Sequence, residues 1–156
     1  MANSLGLDKT DLAILRRLQK DNRATIKQMA AELNLSTTPI FERLRKLEQK
    51  GYIKDQVAVL DPVKLDLKLT AFISISISDH SRDDLNAFAD QVVIFPEVLE
   101  CHHVSGQSDF ILKVVVKDIE AYNQFLLDKI STVPNISNIE SSFALSSRKV
   151  STALPI

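Results

Sequence analysis

Apolar residues recur along this chain with two different periods, and the change falls near residue 60. Leu12, Leu15 and Leu18 lie at threes behind Asp8, a residue suited to cap a first helix that ends near Asp21 and Asn22. Thr25 followed by Gln28 has capping-box spacing, and Ile26, Met29, Ala30 and Leu33 trace the stripe of a second helix, with Asn34 as its expected stop. Ser36 then offers a cap for a third helix in which Ile40, Leu44 and Leu47 face inward, Pro39 falls in the first turn and Gly51 terminates. Tyr52 to Leu60 is rich in strand formers, reads as a wing, and is broken by Asp61-Pro62.

Past a linker over residues 61–68 the period becomes two. Ala71, Ile73, Ile75 and Ile77 alternate with Phe72, Ser74, Ser76 and Ser78, as a strand with one face on a core requires. Ser81 caps a helix with Leu85, Phe88, Ala89 and Val92 on one side, and Val98 to Val104 is a second strand. The turn Ser105-Gly106-Gln107-Ser108-Asp109 leads to a third strand, Phe110 to Val116. Asp118 caps a helix that buries Ile119, Tyr122, Phe125, Leu126 and Ile130, and Ile136 to Leu145 is the last strand. The order βαββαβ is the ferredoxin-like plan, an antiparallel sheet with two helices on one face. The chain therefore reads as α+β: a winged helix-turn-helix over residues 1–60 and a ferredoxin-like domain over 69–156. Ile111 and Val115 make the third strand apolar on its second face too, which predicts self-association through the open side of the sheet.

Composition narrows the class without naming it. With 156 residues, 45% hydrophobic and 25% charged, the chain is neither disordered nor collagen-like. Its longest apolar runs are four residues, far short of the roughly 20 of a membrane span, and Met1 to Asp8 lacks the parts of a secretory signal. A cytoplasmic protein is expected, and the single cysteine, Cys101, excludes an internal disulfide.

The net charge of −1 conceals a division. Residues 1–60 hold eleven Lys and Arg against seven Asp and Glu, whereas residues 61–156 hold eight against thirteen. Such asymmetry points to an anionic partner for the first part. Two helices joined by a short turn, the second carrying Thr37, Thr38, Glu42, Arg43, Arg45 and Lys46 away from its apolar stripe, suit a helix that enters a major groove amino end first. A three-helix bundle with basic residues for solubility fits the same pattern. The second half, taken alone, fits a metabolite-binding module or an enzyme with the helices as an assembly arm.

The segments Leu7 to Leu15, Leu35-Ser36-Thr37-Thr38-Pro39, Glu42 to Glu48 and Gly51-Tyr52-Ile53 resemble the winged helix-turn-helix of the Lrp/AsnC, or feast/famine, transcription regulators. Glu100 to Gly106, Asp109-Phe110 and Thr152-Ala153-Leu154-Pro155 extend that resemblance, in order, over nearly the whole chain. It implies a DNA-binding homodimer, often built into octamers or other even-numbered rings, that binds an amino-acid effector at subunit interfaces. Carried over by position, Ile26 to Arg45 is the helix-turn-helix, with operator contacts from Lys27, Gln28, Ser36, Thr37, Thr38, Phe41, Arg43, Arg45 and Lys46. The effector loop is His103, Val104, Ser105, Gly106, Gln107, Ser108 and Asp109, with Thr152 from the tail; Ile119 and Ala144-Leu145 fall where the family's effector response is tuned. A DNA-packing protein that ignores small molecules is a variant of the same reading.

The loop chemistry is consistent with that role. Gly106 lets backbone N–H groups approach a carboxylate, while Asp109 either accepts from an ammonium group or holds the turn; as a turn residue it is expected to be exposed. His103 stands where the family commonly has an aliphatic residue, so leucine is not the default effector. No cofactor or metal is expected: on a strand Cys101 and His103 share one face and His102 takes the other, which gives two ligands at most. No nucleophile–base motif or phosphate-cradling glycine loop is present, so an enzyme is not expected.

Overall fold

A computed structural model describes residues 6–156; Met1 to Leu5, part of the segment read above as lacking a signal, lie outside the described residues. The contacts divide the chain into two compact units. One holds the chain up to Val59 together with Lys149–Ile156, and the other is Leu60–Arg148. The final eight residues, expected with the sheet, thus belong to the helical unit.

The helical unit contains α1 (Lys9–Lys20), α2 (Ile26–Glu32) and α3 (Thr37–Gln49). Asp8 caps α1 through a reciprocal box with Asp11, and Thr25 caps α2 through the box with Gln28. Asn34 takes φ 53° in the α2–α3 turn, where the Leu35 N–H donates to the Ala30 carbonyl at 2.9 Å. Ser36 is the N-cap of α3 by position, but its side chain makes no cap hydrogen bond. Pro39 occupies the third helical position, so one of the two N–H groups that an N-cap oxygen normally accepts from does not exist. Leu7, Ile14, Met29, Ala30, Ile40 and Leu47 form the core of this unit.

Residues 52–60 form no strand. The expected wing has the composition of a strand but forms no ladder among the described residues; Asn22 Nδ2 donates to the Val57 carbonyl at 3.4 Å, and Ile53 packs against the helical core. The final residues lie along α1 instead. Gln19 donates to the Leu154 carbonyl at 3.2 Å and accepts from the Leu154 N–H at 2.5 Å, and Arg16 Nε donates to the Ile156 carbonyl at 2.6 Å.

The sheet unit runs β1 (Leu69–Ile77), α4 (Arg82–Val92), β2 (Val98–His103), β3 (Phe110–Val116), α5 (Ile119–Asp128) and β4 (Ile136–Phe143). Strand order is β2-β3-β1-β4 with every pairing antiparallel, which is the ferredoxin-like plan. Ala71, Ile73, Ile75 and Ile77 meet Phe110, Leu112, Val114 and Val116 on the face covered by the helices, packed with Phe88, Val92, Tyr122 and Phe125. Each buried Ile, Leu, Val or Phe among them contributes about 1.5–3 kcal/mol from removal of apolar surface.

Three details depart from the sequence reading. β2 ends at His103 and β4 at Phe143, so Val104 and Leu145 lie outside the strands. Ile119, expected inside, opens α5 at 60% exposure, because the inward stripe starts at Tyr122. The open sheet face is mixed, not apolar: Phe72, Ile111 and Val115 surround an ion-paired group in which Glu100 accepts from Lys113 at 2.7 Å and meets His102 at 3.3 Å. Lys113 is the main cause that holds the Glu100 carboxyl below its ordinary range, with His102 second.

Candidate nucleic-acid interface and effector loop

α3 presents two kinds of surface. Ile40, Leu44 and Leu47 turn toward α1 and α2, while Ser36 and, on α3 itself, Thr37, Thr38, Phe41, Arg45 and Lys46 are exposed, Phe41 at 53%. An apolar aromatic ring left in water beside hydroxyls and cations at the amino end of a helix is the composition of a surface that meets base edges and phosphates. On α2, Lys27 is exposed, and Gln28 is exposed but holds the Thr25 N–H at 2.8 Å with Oε1.

Arg43 differs from the others. It stands three residues after Ile40 and four before Leu47, at the edge of the inward stripe, and its side chain is one-third exposed. Nη1 donates to Asp8 Oδ2 at 2.5 Å and to Asp11 Oδ1 at 2.7 Å. The expectation that it projects away from the stripe with Arg45 and Lys46 is therefore corrected: the two carboxylates at the start of α1 draw it in. The Asp8 carboxyl is held below its ordinary range, chiefly by the Asp11 N–H with Arg43 assisting against desolvation, and Asp11 and Asp8 together raise the Arg43 guanidinium.

In the sheet unit, residues 104–109 join β2 to β3. The Val104 N–H donates to the Asp109 carbonyl at 2.9 Å, which closes the hairpin, and Gly106 at φ 135° adopts backbone that L side chains rarely take. Ser105, Gly106 and Gln107 are exposed and Ser108 is half-buried. The His103 ring lies over Phe110 with centroids 5.0 Å apart, on the helix-covered face.

Asp109 departs from the expectation of an exposed turn aspartate, since its side chain is only 19% exposed. Its Oδ2 accepts from the Ile77 N–H at 2.8 Å, its own N–H donates to the Ile75 carbonyl at 2.9 Å, and His80 Nε2 lies 3.1 Å from Oδ1. Of the two roles left open for it, holding the turn is the one these bonds perform. His80 was missed because it lies 29 residues away in sequence, and only the β1–β3 pairing brings the two together. Thr152 lies in the helical unit while the loop lies in the sheet unit.

Cys101 shares its sheet face with His103, and His102 takes the opposite face beside Glu100. Burial raises the Cys101 thiol pKa. Among the described residues no group of three or more His, Cys, Asp or Glu is placed to hold a metal ion, and no helix is long and apolar enough to cross a membrane.

A helix-turn-helix with an open, basic second helix, followed on one chain by a ferredoxin-like sheet unit, defines a class of two-domain DNA-binding transcription regulators. Residues 7–54 match the winged helix-turn-helix DNA-binding family model, and residues 70–154 match that of the Lrp/AsnC ligand-binding domain. The Bkd operon transcriptional regulator of Pseudomonas aeruginosa is 37% identical over 96% of this chain and 98% of its own. An AsnC family transcriptional regulator from Agrobacterium tumefaciens superimposes with a TM-score of 0.91 at 42% identity, covering 96% of this chain and 97% of that one. A transcriptional regulator from Neisseria meningitidis, solved as an L-methionine complex, gives 0.90 at 36% identity over 96% of both chains. The chain belongs to the Lrp/AsnC family of DNA-binding transcriptional regulators and is not an enzyme.

Proposed function

We propose that this protein is a cytoplasmic, amino-acid-responsive regulator that reads an operator with α3 and binds its effector at the β2–β3 loop. Thr37, Thr38 and Phe41 meet base edges, while Lys27, Ser36, Arg45 and Lys46 engage phosphates. The observation that carries the reading is the outward surface of α3, polar and basic around an exposed Phe41, in a unit with twelve Lys and Arg against seven Asp and Glu. In the sheet unit, the exposed backbone at Ser105, Gly106 and Gln107 receives an α-carboxylate, and His103 and Ser108 line the side-chain end. The L-methionine complex of the Neisseria relative supports an amino acid as the effector class.

The partly apolar open sheet face supports assembly. A homodimer covers Phe72, Ile111 and Val115 by placing two such faces together, and further pairing of dimers toward an octamer brings effector loops to subunit interfaces. Ligand then shifts the balance between assemblies of different DNA affinity.

Two measurements test the proposal. A duplex selected by the protein from a random pool should lose affinity steeply as salt rises, and Arg45→Ala should lower the slope of log affinity against log salt by about 0.9 if Arg45 neutralises one phosphate. An unchanged slope and affinity would remove Arg45 from the interface; a protein that selects no duplex over random DNA would be a packing protein. Thermal melting in the presence of each of the twenty amino acids should reveal at least one that raises the transition, because a ligand of the folded state alone stabilises it. No shift with any of them would refute an amino-acid effector.

A further inference from the structure

We infer that Arg43 is a positioning residue which fixes the recognition helix against the start of α1, and that Asp8 and Asp11 take part in DNA recognition through it without touching DNA. The inference rests on α3 being the recognition helix. Its basis is the bonding of four carboxylate oxygens. Asp8 Oδ1 accepts from the Asp11 N–H at 2.8 Å, and Asp11 Oδ2 accepts from the Asp8 N–H at 3.1 Å, the reciprocal box that starts α1. The two oxygens left over, Asp8 Oδ2 and Asp11 Oδ1, both receive Nη1 of Arg43. One guanidinium nitrogen thus closes a box that belongs to a different helix.

The placement has a directional consequence. Arg43 projects from the side of α3 between Ile40 and Leu47, so a clamp there restrains rotation of α3 about its own axis as well as its distance from α1. Apolar packing of Ile40 and Leu47 alone tolerates small rolls, because dispersion contacts are non-directional, whereas a cation shared by two oxygens at fixed positions does not. Rotation of a recognition helix moves Thr38 and Phe41 relative to base edges while leaving the overall attraction to phosphates nearly intact. The clamp therefore acts on specificity more than on affinity. Asp11, at 12% side-chain exposure, is the drier end of it, and Asp8, at 52%, is the wetter one.

The test uses a sign that simple electrostatics does not give. Removing an acidic charge close to DNA should tighten binding to any duplex. If Asp11 positions α3 through Arg43, Asp11→Asn should instead lower the ratio of affinity for the selected duplex over random duplex by about tenfold, the size of one lost base contact, with random-duplex affinity equal or higher. Arg43→Gln should lower the same ratio with an unchanged salt slope, and the double variant should be no worse than either single one. A merely structural role would reduce the folded fraction and scale both affinities together, leaving the ratio fixed. The inference is overturned if Asp11→Asn keeps the ratio, or if Arg43→Gln lowers the salt slope by about 0.9, the mark of a direct phosphate contact. Should Asp11→Asn melt below the assay temperature, Asp8→Asn and Arg43→Gln carry the same comparison. Failure of the underlying reading is separate: wild-type protein would select no duplex, or Arg45→Ala would leave binding untouched.

Discussion

Replacing Asp109 by alanine should damage the sheet unit as well as the effector response. The carboxylate accepts the Ile77 N–H at 2.8 Å at the point where β1 ends, and Ile77 is 2% exposed, so water has poor access to replace the lost acceptor. A hydrogen bond to a charged group of this kind is worth about 1.5–3 kcal/mol. The contact with His80 adds less than about 1 kcal/mol, because the imidazole is 63% exposed and solvent competes for it. The expected loss is therefore about 2 kcal/mol, and for a unit of fewer than about 100 residues each kcal/mol lowers the melting temperature by about 4–8 °C.

Asp109→Asn separates the contributions. Its side-chain carbonyl can still accept from Ile77 but carries no charge for His80, so it should show roughly half the loss or less. Melting followed by circular dichroism gives the magnitude, and hydrogen exchange at the Ile77 amide gives the location: that amide should lose protection in the alanine variant and keep most of it in the asparagine variant. A melt for Asp109→Ala within about 2 °C of wild type, together with an unchanged Ile77 amide, would show that the bond contributes little and refute the turn-holding role.

Two further outcomes follow from bonds elsewhere in the two units. Asp8 and Glu100 are held below their unfolded values of 3.8 and 4.5, so the stability they supply is present above those values and disappears as pH falls through the lower folded ones. Melting temperature should accordingly drop as pH falls below about 5, and Glu100→Gln should flatten the drop in the sheet unit; an identical acid profile would refute the linkage. Gln19 holds both backbone groups of Leu154, so Gln19→Ala should speed exchange of the Leu154 amide about tenfold or more while the core amides of Ile14 and Ile40 keep their protection, and equal rates at Leu154 would mean that other contacts hold the tail.

What the sequence made legible was whatever depends on local spacing. The caps at Asp8, Thr25, Ser81 and Asp118, the alternation from Ala71 to Ile77 and the breaks at Asn34 and Gly51 each involve residues within a few positions of one another, and the structure forms the corresponding elements. The misreadings share the opposite property. A wing strand over residues 52–60 needs a partner that composition cannot supply, and Asp109 meets His80 only after β1 pairs with β3. Arg43 is the instructive intermediate. Its spacing from Ile40 and Leu47 puts it at the edge of the stripe, where a charged residue is expected to turn outward, but Asp8 and Asp11, more than thirty residues earlier, draw it in.

The same bonds change what the charge count means. The helical unit holds twelve Lys and Arg against seven Asp and Glu, an excess of five, but the charges are not spread evenly. Arg17 binds Glu32 and Asp21, Arg43 binds Asp8 and Asp11, and Arg23 approaches Asp21, so four of the seven acids are matched to cations that lie off the outward surface of α3. Glu42 and Glu48 remain on that helix, interleaved with Arg45 and Lys46. A net excess of five therefore overstates the focus of positive potential at α3 itself, where two cations stand among two acids. If α3 reads DNA as proposed, the general attraction to phosphates then comes from the unit's excess as a whole, Lys27 included, and discrimination from the contact geometry of Thr37, Thr38 and Phe41. On the proposed reading of α3, contact geometry is what a clamp at Arg43 controls, from the junction where Asp8 and Asp11 at the start of α1 meet it.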